Sequence, residues 1–207
     1  MSLIRVIGDI HGVYGTYDYL IGCPHPTIQI GDMGVGFPGL NHCRPAPKDR
    51  FFNGNHDNPQ ACRAMDAFMG TWGSEGKVFW LGGGWSIDQA YRVPGISWWA
   101  DEELSHAELE EAIEAYRAAR PSIMLSHEAP AFLARHMVQK VFPPSRTALA
   151  LGAMWEAHRP RLWLYGHWHL DFRKRIEGCE FVCVNQYCAV DVDLGAFEVG
   201  PYIRGDR

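Results

Sequence analysis

The chain has 207 residues, of which 47% are hydrophobic and 21% are charged, so it suits one sizeable globular domain and not a disordered protein. Its net charge of −5 disfavours binding of long nucleic acid through bulk electrostatics. No apolar run approaches the roughly 18 residues that span a bilayer, and MSLIRVIGDIHG lacks a signal-peptide pattern. The six cysteines form no Cys-x-x-Cys pair, which indicates buried thiols in a reducing compartment. We therefore expect a cytoplasmic protein without membrane contact.

Short apolar runs followed at once by glycine and polar residues predict the strands of the first half of the chain. The first two cover Leu3–Ile7 and Thr27–Ile30, and a shorter one covers 51–52. The Asn-Pro pair at 58–59 is a good helix start, because asparagine favours the N-cap and proline the first helical position. It predicts a helix that continues through 60–69.

Residues 71–104 are rich in glycine and tryptophan and interrupt this pattern. We interpret them, hereafter the insert, as a hairpin followed by a surface excursion within a single domain of residues 1–207. Ser105 and Glu108 then form the Ser-x-x-Glu pattern of a capping box. This pattern predicts an amphipathic helix that begins directly after the insert and that Pro121 ends.

The second half of the chain predicts further strands and one more helix. A strand lies in SIMLSHEAP, an amphipathic helix covers 147–158, and the apolar run Leu162–Tyr165 is another strand. The tail, with CEFVCVNQYCAV and GAFEVG, predicts two or three antiparallel strands, and the basic stretch FRKR at 172–175 suits a solvated hairpin tip. Together these elements predict an α/β fold with one or two mixed sheets.

Polar side chains that can ligate or polarise follow five of the predicted strands. They are Asp9 and His11 in GDIHG, Asp32 in GDMG, Asn55, His56 and Asp57 in GNHD, His127 in SHEAP, and His167 and His169 in GHWH. Ligand sites in α/β folds lie beyond the carboxyl ends of strands. Oxygen and imidazole ligands suit divalent first-row ions, and the glycines that precede four of these groups would allow a close backbone approach to a metal. The set therefore predicts a metal site.

In this order the motifs GDIHG, GDMG, GNHD, SH and GHWH resemble the five-block signature of the calcineurin-like metallophosphoesterase superfamily. The resemblance implies a four-layer α/β/β/α sandwich, in which two mixed β-sheets pack face to face with helices outside. It also implies a dinuclear centre at one edge of the sheets. The two divalent ions would be Mn²⁺ in first place, with Fe, Zn or Ni as alternatives.

The resemblance further implies a role for each motif residue. The implied ligands are Asp9, His11 and His169 for the first ion, Asn55, His127 and His167 for the second, and Asp32 as the bridge between them. The implied reaction is hydrolysis of a phosphomonoester or phosphodiester, by in-line attack of a hydroxide that bridges the two ions.

Three further residues of the motifs have implied roles outside the ligand set. His56 would donate a proton to the leaving group or stabilise its charge. Asp57 would fix the loop or support a ligand. Because the histidines of GHWH are two residues apart, we expect Trp168 to point away while both imidazoles face the ions.

The second motif departs from the protein Ser/Thr phosphatase branch of the superfamily. In that branch the motif is Gly-Asp-x-x-Asp-Arg-Gly, whose second Asp orients the catalytic histidine and whose Arg holds phosphate. Here GDMGVGF places Val35 and Gly36 at those two positions. This disfavours a protein phosphatase unless Arg44, Arg50 or Arg63 substitutes, and salt-bridged surface arginines are the favoured interpretation of those three.

Substrate contacts are assigned to five residues. Asn55 and His56 belong to the third motif, and Arg92, Trp98 and Trp99 of the insert would grip a phosphate or stack on a base. The alternative, which we favour for the tryptophans, is that they pack the insert onto the core.

Three functions are compatible with these motifs. The leading hypothesis is a dinuclear metal-dependent phosphoesterase that acts on a small phosphoester. The second is a cyclic-nucleotide phosphodiesterase or nuclease of the same superfamily, and the third is a non-catalytic scaffold that binds partners. Scaffold members usually lose ligands, whereas this sequence keeps all of those implied together with His56, which favours an enzyme.

Overall fold

Two mixed β-sheets form the centre of the protein, described here from a computed structural model that covers residues 3–37, 48–139 and 143–205. The strands of the first sheet are β1 (Leu3–Ile7), β2 (Thr27–Ile30), β3 (Asp49–Phe52), β10 (Cys188–Asp193) and β11 (Glu198–Arg204). Their spatial order is β11-β10-β1-β2-β3, with β1, β2 and β3 parallel and β10 and β11 antiparallel to their neighbours.

The second sheet is also mixed. Its strands are β4 (Trp72–Glu75), β5 (Val78–Leu81), β6 (Ile123–Ser126), β7 (Leu162–Tyr165), β8 (Phe172–Ile176) and β9 (Cys179–Cys183). The spatial order is β4-β5-β6-β7-β9-β8, in which the four inner strands are parallel and the two edge strands are antiparallel to their neighbours. The inner strands are largely apolar because both faces of this sheet are covered.

Helices cover the outer faces of both sheets. They are α1 (Tyr14–Leu20), α2 (Pro59–Arg63), α3 (His106–Ala119), α4 (Ala134–Met137) and α5 (Arg146–Ala157). Successive strand residues point to opposite faces, so Val6 packs between the sheets while Ile7 packs outward against Tyr17 of α1. On the other side, Tyr116 of α3 and Trp155 of α5 pack on the outer face of the second sheet. The four layers are therefore α/β/β/α, as the resemblance implies.

Several predicted elements are confirmed, and the capping box is among them. The Ser105 hydroxyl accepts a hydrogen bond from the Glu108 amide at 3.3 Å, and the Glu108 carboxylate accepts one from the Ser105 amide at 2.8 Å. The helix that follows, α3, ends at Ala119, and Arg120 caps it in a left-handed conformation directly before Pro121. The strands predicted at Leu3–Ile7, Thr27–Ile30 and Leu162–Tyr165 have these bounds in the structure.

Three elements differ from the sequence prediction. The helix predicted for 60–69 ends at Arg63, because the chain then turns so that Phe68 forms a bridge with Phe51 at the edge of the first sheet. The stretch FRKR is not a hairpin tip but part of β8, an exposed edge strand. Helix α1 was not predicted, since it has only seven residues and no side-chain cap at its N-terminus.

The insert divides into two parts. The predicted hairpin is present as β4 and β5, but β5 pairs in parallel with β6 and lies inside the second sheet. Only residues 82–104, hereafter the 82–104 segment, leave the sheet. The end of this segment is tied to α5, because the Glu103 carboxylate accepts hydrogen bonds from the Thr147 amide at 2.8 Å and from its hydroxyl at 2.9 Å.

The cysteine thiols of the described residues are free and buried, at Cys23, Cys62, Cys179, Cys183 and Cys188. Across 3–37, 48–139 and 143–205, no helix combines the length and the apolar character that crossing a bilayer requires.

Candidate metal centre

The five motif loops meet at one edge of the two sheets. Asp9, Asp32 and Asn55 follow the parallel strands β1, β2 and β3, while His127 and His167 follow the parallel strands β6 and β7. Parallel neighbours end at the same edge of a sheet, so each sheet delivers its polar residues to one place. The two sheets are joined there, because the His127 Nδ1 atom lies 3.0 Å from the Ile30 carbonyl oxygen.

Asp9, His11 and His169 form one cluster, which we call the first half-site. The His169 Nε2 atom lies 2.9 Å from Asp9 Oδ2, and the His11 Nε2 atom lies 3.7 Å from the same oxygen. The two Nε2 atoms are 3.0 Å apart. The ligand atoms of the three side chains all lie within 4.8 Å of one another, as a common ion would require.

Asn55, His127 and His167 form the second half-site, with Asp32 beside them. The His127 Nε2 atom lies 3.0 Å from Asn55 Oδ1 and 3.2 Å from Asp32 Oδ1. The ligand atoms of Asp32, His127 and His167 also lie within 4.8 Å of one another. The other oxygen of Asp32 is 3.9 Å from the His11 Nε2 atom, so this carboxylate faces both half-sites.

The donor set fits divalent cations. Asp9, Asp32, Asn55 and His127 are at most 1% exposed, and buried carboxylates need compensating positive charge. Among the described residues, no lysine or arginine forms an ion pair with either aspartate. Ligand atoms held about 2.1 Å from one ion lie about 3 Å apart, and the shorter donor separations here are 2.9 Å for His169–Asp9 and 3.0 Å for His127–Asn55.

The charges of the two aspartates are balanced by imidazoles. Burial opposes ionisation of Asp9, yet hydrogen bonds with His11 and His169 hold the pKa of its carboxyl well below the ordinary value. Burial likewise opposes the charge on Asp32, and His127 outweighs it and lowers the pKa of that carboxyl. Burial works against the charge on His127, but Asp32 raises the pKa of this imidazole to about 10. A bound cation would replace this proton.

Four of the predicted ligands have an unusual backbone. His11, Asp32, His167 and His169 all have left-handed φ angles, of 47°, 59°, 64° and 51°. Such a conformation costs about 1–3 kcal/mol for a non-glycine residue and persists where the surroundings enforce it, most often at functional sites. Without these turns the chain would continue in the strand direction and carry the side chains away from this edge. The turns keep them at the edge.

The same turns correct the prediction made for Trp168. The chain on both sides of this residue is not extended, so strand-like alternation does not apply. Trp168 lies on the same cavity wall as His167 and His169, and its indole N–H donates to Glu128 Oε1 at 2.6 Å. The spacing argument for Trp168 therefore does not hold, and the side chain packs against the core of the second sheet beside the cavity.

Gly54 shows why a glycine precedes a ligand. A Cβ atom at this position would lie 2.6 Å from the His127 Nε2 atom and closer still to Asp32. Any side chain would therefore displace Asp32 and His127, so the backbone at Gly54 closely approaches the side chains predicted to be ligands.

The 82–104 segment supports Asn55 in a way the sequence did not indicate. The Asn55 Nδ2 atom donates to Ser86 Oγ at 3.0 Å, and that hydroxyl donates to Glu102 Oε2 at 2.6 Å. Glu102 is buried and also accepts from the Ser86 amide at 2.9 Å. Because the amide nitrogen is occupied, Asn55 Oδ1 faces His127 as a ligand oxygen would. No local pattern in a glycine-rich loop signals this pair.

Glu128 is a second residue that the sequence analysis missed. Its Oε2 atom lies 3.4 Å from the His167 Nε2 atom, and its Oε1 atom accepts from the Ala129 amide at 2.7 Å. The available signal was its position directly after His127 in SHEAP. A buried carboxylate beside a ligand histidine can orient the imidazole and strengthen it as a ligand.

His56 lies at the edge of the centre, with its ring 4.8 Å from that of His11. The Arg92 guanidinium contacts the His56 Nε2 atom and donates to Asp88 at 2.7 Å. Burial, together with the nearby His11 and Arg92, lowers the pKa of His56 to about 4, against the opposing effect of Asp32. The imidazole is therefore held in its neutral form beside the Arg92 guanidinium.

Asp57 holds two motif loops together. Its carboxylate accepts hydrogen bonds from the amides of Gly34 at 2.7 Å, Val35 at 2.9 Å and Gly54 at 2.9 Å. Burial and the charge of Asp32 raise the pKa of Asp57 to about 6, against the effect of these donors. This arrangement supports the predicted loop-fixing role.

The remaining predicted residues are dispersed. Trp99 is buried and packs edge-on against Phe37 at 5.1 Å, which is the packing role favoured for it. Among the described residues that line the cavity beside the centre, the 82–104 segment contributes Trp85 but neither Trp98 nor Trp99.

The arginines considered as substitutes for the missing phosphatase residues lie elsewhere. Arg50 pairs with Glu75 at 2.8 Å and Arg63 with Asp101 at 3.5 Å, both on the surface, as the favoured interpretation holds. Arg44 lies outside the described residues.

Comparison with known proteins gives similarity in structure only. No protein-family model matches the sequence, and no curated protein is similar to it. The protein TT1561 of Thermus thermophilus superposes with a TM-score of 0.61 at 11% identity, over 98% of this chain and 98% of that one. A protein of Staphylococcus aureus designated a 5′-nucleotidase, solved with alpha-ketoglutarate, gives a TM-score of 0.56 at 13% identity.

That second alignment covers 99% of this chain but 55% of the Staphylococcus protein, so this chain spans about half of its length. Identities this low establish the fold alone. The chain has the four-layer α/β/β/α fold of the metallophosphoesterases, which confirms the fold class expected from the five motifs.

Proposed function

We propose that this chain, with its metallophosphoesterase fold, is a dinuclear metal-dependent phosphoesterase that hydrolyses a phosphomonoester or phosphodiester. The observation that carries the proposal is the convergence of seven side chains from five strand ends on two adjoining half-sites. The seven are Asp9, His11, Asp32, Asn55, His127, His167 and His169. Oxygen and imidazole donors in this number suit two first-row divalent ions, with Mn²⁺ proposed first.

The ions would supply an activated nucleophile at neutral pH and positive charge for the phosphoryl oxygens. The chain's own contribution is to hold the donors in place before substrate arrives. Asp32 is pinned between the half-sites, because its Oδ1 atom accepts from the His56 amide at 2.7 Å while Oδ2 faces His11. A ligand that is fixed in this way keeps its position while the phosphoryl group is transferred.

Arg92 and His56 would act on the substrate side of the centre. The contact of the guanidinium with His56 places a cation next to the imidazole. We propose that the pair stabilises negative charge on the phosphoryl group or the leaving oxygen. Asp88 holds the guanidinium in this orientation.

The positions of the motif residues and of the surface arginines also distinguish between the competing functions. A protein Ser/Thr phosphatase is disfavoured because Val35 is buried and Arg50 and Arg63 pair on the surface. A cyclic-nucleotide phosphodiesterase or nuclease uses the same centre and remains the alternative. A scaffold without activity is disfavoured because the ligand set converges completely.

The test is reconstitution of the metal-stripped protein. Mn²⁺, Ni²⁺ and Zn²⁺ are added back separately, and hydrolysis is measured on p-nitrophenyl phosphate, bis-p-nitrophenyl phosphate, cyclic nucleotides and a phosphopeptide. We expect metal-dependent hydrolysis of a small ester, with about two ions per chain by elemental analysis. Fewer than one ion per chain, with no hydrolysis under any metal, would refute the proposal.

A further inference from the structure

A cavity of 570 Å³ adjoins the candidate metal centre. The part of this cavity beyond the predicted ligands has no role in the proposed reaction. His11, Asp32, His167 and His169 form its floor, so a group bound there would be continuous with the two half-sites. Its volume lies in the range of about 300–1,000 Å³ that is usual for small-molecule sites.

The wall beyond the ligands is apolar. It is formed by side chains from three parts of the chain, which include Trp85, Ile87, Pro130, Ala134, Val138 and Pro144. They come from the 82–104 segment, from the region after β6, and from the residues that lead into α5.

Charged groups among the described residues of this wall are few and acidic. No lysine or arginine is among the described residues that line it, and Arg92 contacts His56 without lining the cavity. The two acidic residues are Asp88, which pairs with Arg92, and Glu128, which accepts from Trp168. A second phosphate of a substrate would therefore meet no lysine or arginine among the described lining residues and would lose its hydration there without compensation.

We infer that this cavity binds the organic part of the substrate, and that this part is a neutral, apolar group, aliphatic or aromatic. The inference rests on the proposed function for its placement of the phosphate at the half-sites. It narrows the substrate class to small phosphoesters with a single phosphate and an apolar group. The described residues of the wall disfavour polyphosphates, nucleic acid and acidic phosphopeptides.

The experiment uses alkylphosphonates, which present a phosphate-like head and a tail of chosen length. Binding of methyl-, butyl- and hexylphosphonate to the manganese-loaded protein is measured by calorimetry. Each methylene that is fully buried raises affinity about threefold to fourfold. We expect hexylphosphonate to bind at least about thirtyfold more tightly than methylphosphonate, because most of the tail enters the cavity.

Two probes of similar length test the charge of the wall. 6-Phosphonohexanoate carries an anionic tail end, and 6-aminohexylphosphonate carries a cationic one. Both should lose most of the gain that the hexyl tail provides. Tighter binding of the amino compound than of hexylphosphonate would mean that Asp88 and Glu128 select a cationic group, and would overturn the inference.

Two matched variants test whether the alkyl tail binds against this wall of the cavity. Ile87 lines the cavity and is 69% exposed, so Ile87→Glu adds a charge to the wall with little effect on folding. Ile96 lies in the same segment, is 50% exposed and is not among the lining residues. We expect Ile87→Glu to reduce the hexyl-to-methyl affinity ratio about tenfold and Ile96→Glu to leave it within about twofold.

The outcomes separate this inference from the proposed function. Hydrolysis of p-nitrophenyl phosphate, together with an affinity that does not change with tail length, would overturn the inference and leave the function standing. An affinity that rises with tail length in a protein that hydrolyses no ester would support the cavity assignment and refute the function. An equal loss of the ratio in Ile87→Glu and Ile96→Glu would also overturn the inference.

Discussion

The two half-sites of the candidate metal centre differ in burial and in the support of their ligands. In the first, the His11 side chain is 19% exposed and that of His169 is 38% exposed, and both contact mainly other ligands. In the second, His127 is fully buried and its Nδ1 atom meets the Ile30 carbonyl. Asn55 there is held by Ser86.

This difference in burial and support predicts that the two half-sites differ in metal affinity and in the rate of metal exchange. Partners around a ligand fix its orientation and affect metal affinity about 10- to 100-fold. We therefore expect the second half-site to bind its ion more tightly and the first to exchange its ion more readily. The 82–104 segment accounts for part of this asymmetry, since it supplies Ser86 and Glu102 to the second half-site alone.

The largest expected loss of activity comes from substitutions that test whether the two half-sites act as one centre. Asp32→Asn removes the carboxylate that faces both, and His127→Ala removes a buried donor of the second. Each should lower kcat/KM about 1,000-fold or more, because charge stabilisation at the reacting group is lost. His169→Ala should instead retain one tightly bound ion by elemental analysis.

Circular dichroism is the control for these variants, since the fold must be retained for the losses to be interpreted. Full activity in Asp32→Asn would show that the Asp32 carboxylate is not a shared ligand of the centre.

The next effect tests whether the supporting residues cause the asymmetry. Ser86→Ala and Glu102→Gln should each weaken binding of the tighter ion about 10- to 100-fold, because Asn55 loses its fixed orientation. Ser105→Ala is the matched control, since it removes a helix cap away from the centre and costs about 1 kcal/mol of stability. An equal loss of metal affinity in Ser105→Ala would mean that general destabilisation is responsible.

A smaller effect is expected from pH. In protein stripped of metal, the pKa of His127 is raised from 6.5 to about 10 by Asp32. Its contribution to stability is then fully present below about pH 6.5 and is lost as pH rises through about 10. The midpoint of thermal unfolding of the stripped protein should fall over this window, and less so in His127→Gln.

Metal has to displace the same proton, so affinity of the second half-site should rise with pH, by at most about tenfold per unit. Competition with a chelator of known affinity measures this dependence. An affinity that does not change between about pH 6.5 and 9 would contradict a protonated His127.

The smallest expected effect concerns the edge of the centre. Arg92→Gln should lower kcat about tenfold, since a charge-assisted contact at the leaving group is lost. His56→Ala should slow esters with poor leaving groups more than p-nitrophenyl esters, by a similar factor. An equal loss on both ester types would leave His56 without a role at the leaving oxygen.

Much of the centre could be predicted from sequence because its residues follow apolar runs directly. Asp9 and Asp32 each lie within two residues of a strand end, and parallel strands bring such ends to one edge. The alternation of strands and helices predicted only an α/β fold with one or two mixed sheets, and the four layers were implied by the resemblance of the motifs. Helix α1 and the early end of α2 were not predicted, because short helices depend on contacts such as that of Phe68 with Phe51.

The sequence by itself determined most of the strands and the capped helix α3, because these depend on periodicity and on residues close together in the chain. The ligand set stays a prediction from the motifs that resemble a known superfamily. Only the tertiary structure decided which residues support the ligands: Glu102, Ser86 and Arg92 reach Asn55 and His56 across a loop that has no regular pattern. It also decided the backbone conformation at His167 and His169 and the apolar wall of the cavity. Contacts between distant segments depend on how the layers pack, and no spacing along the chain encodes that packing.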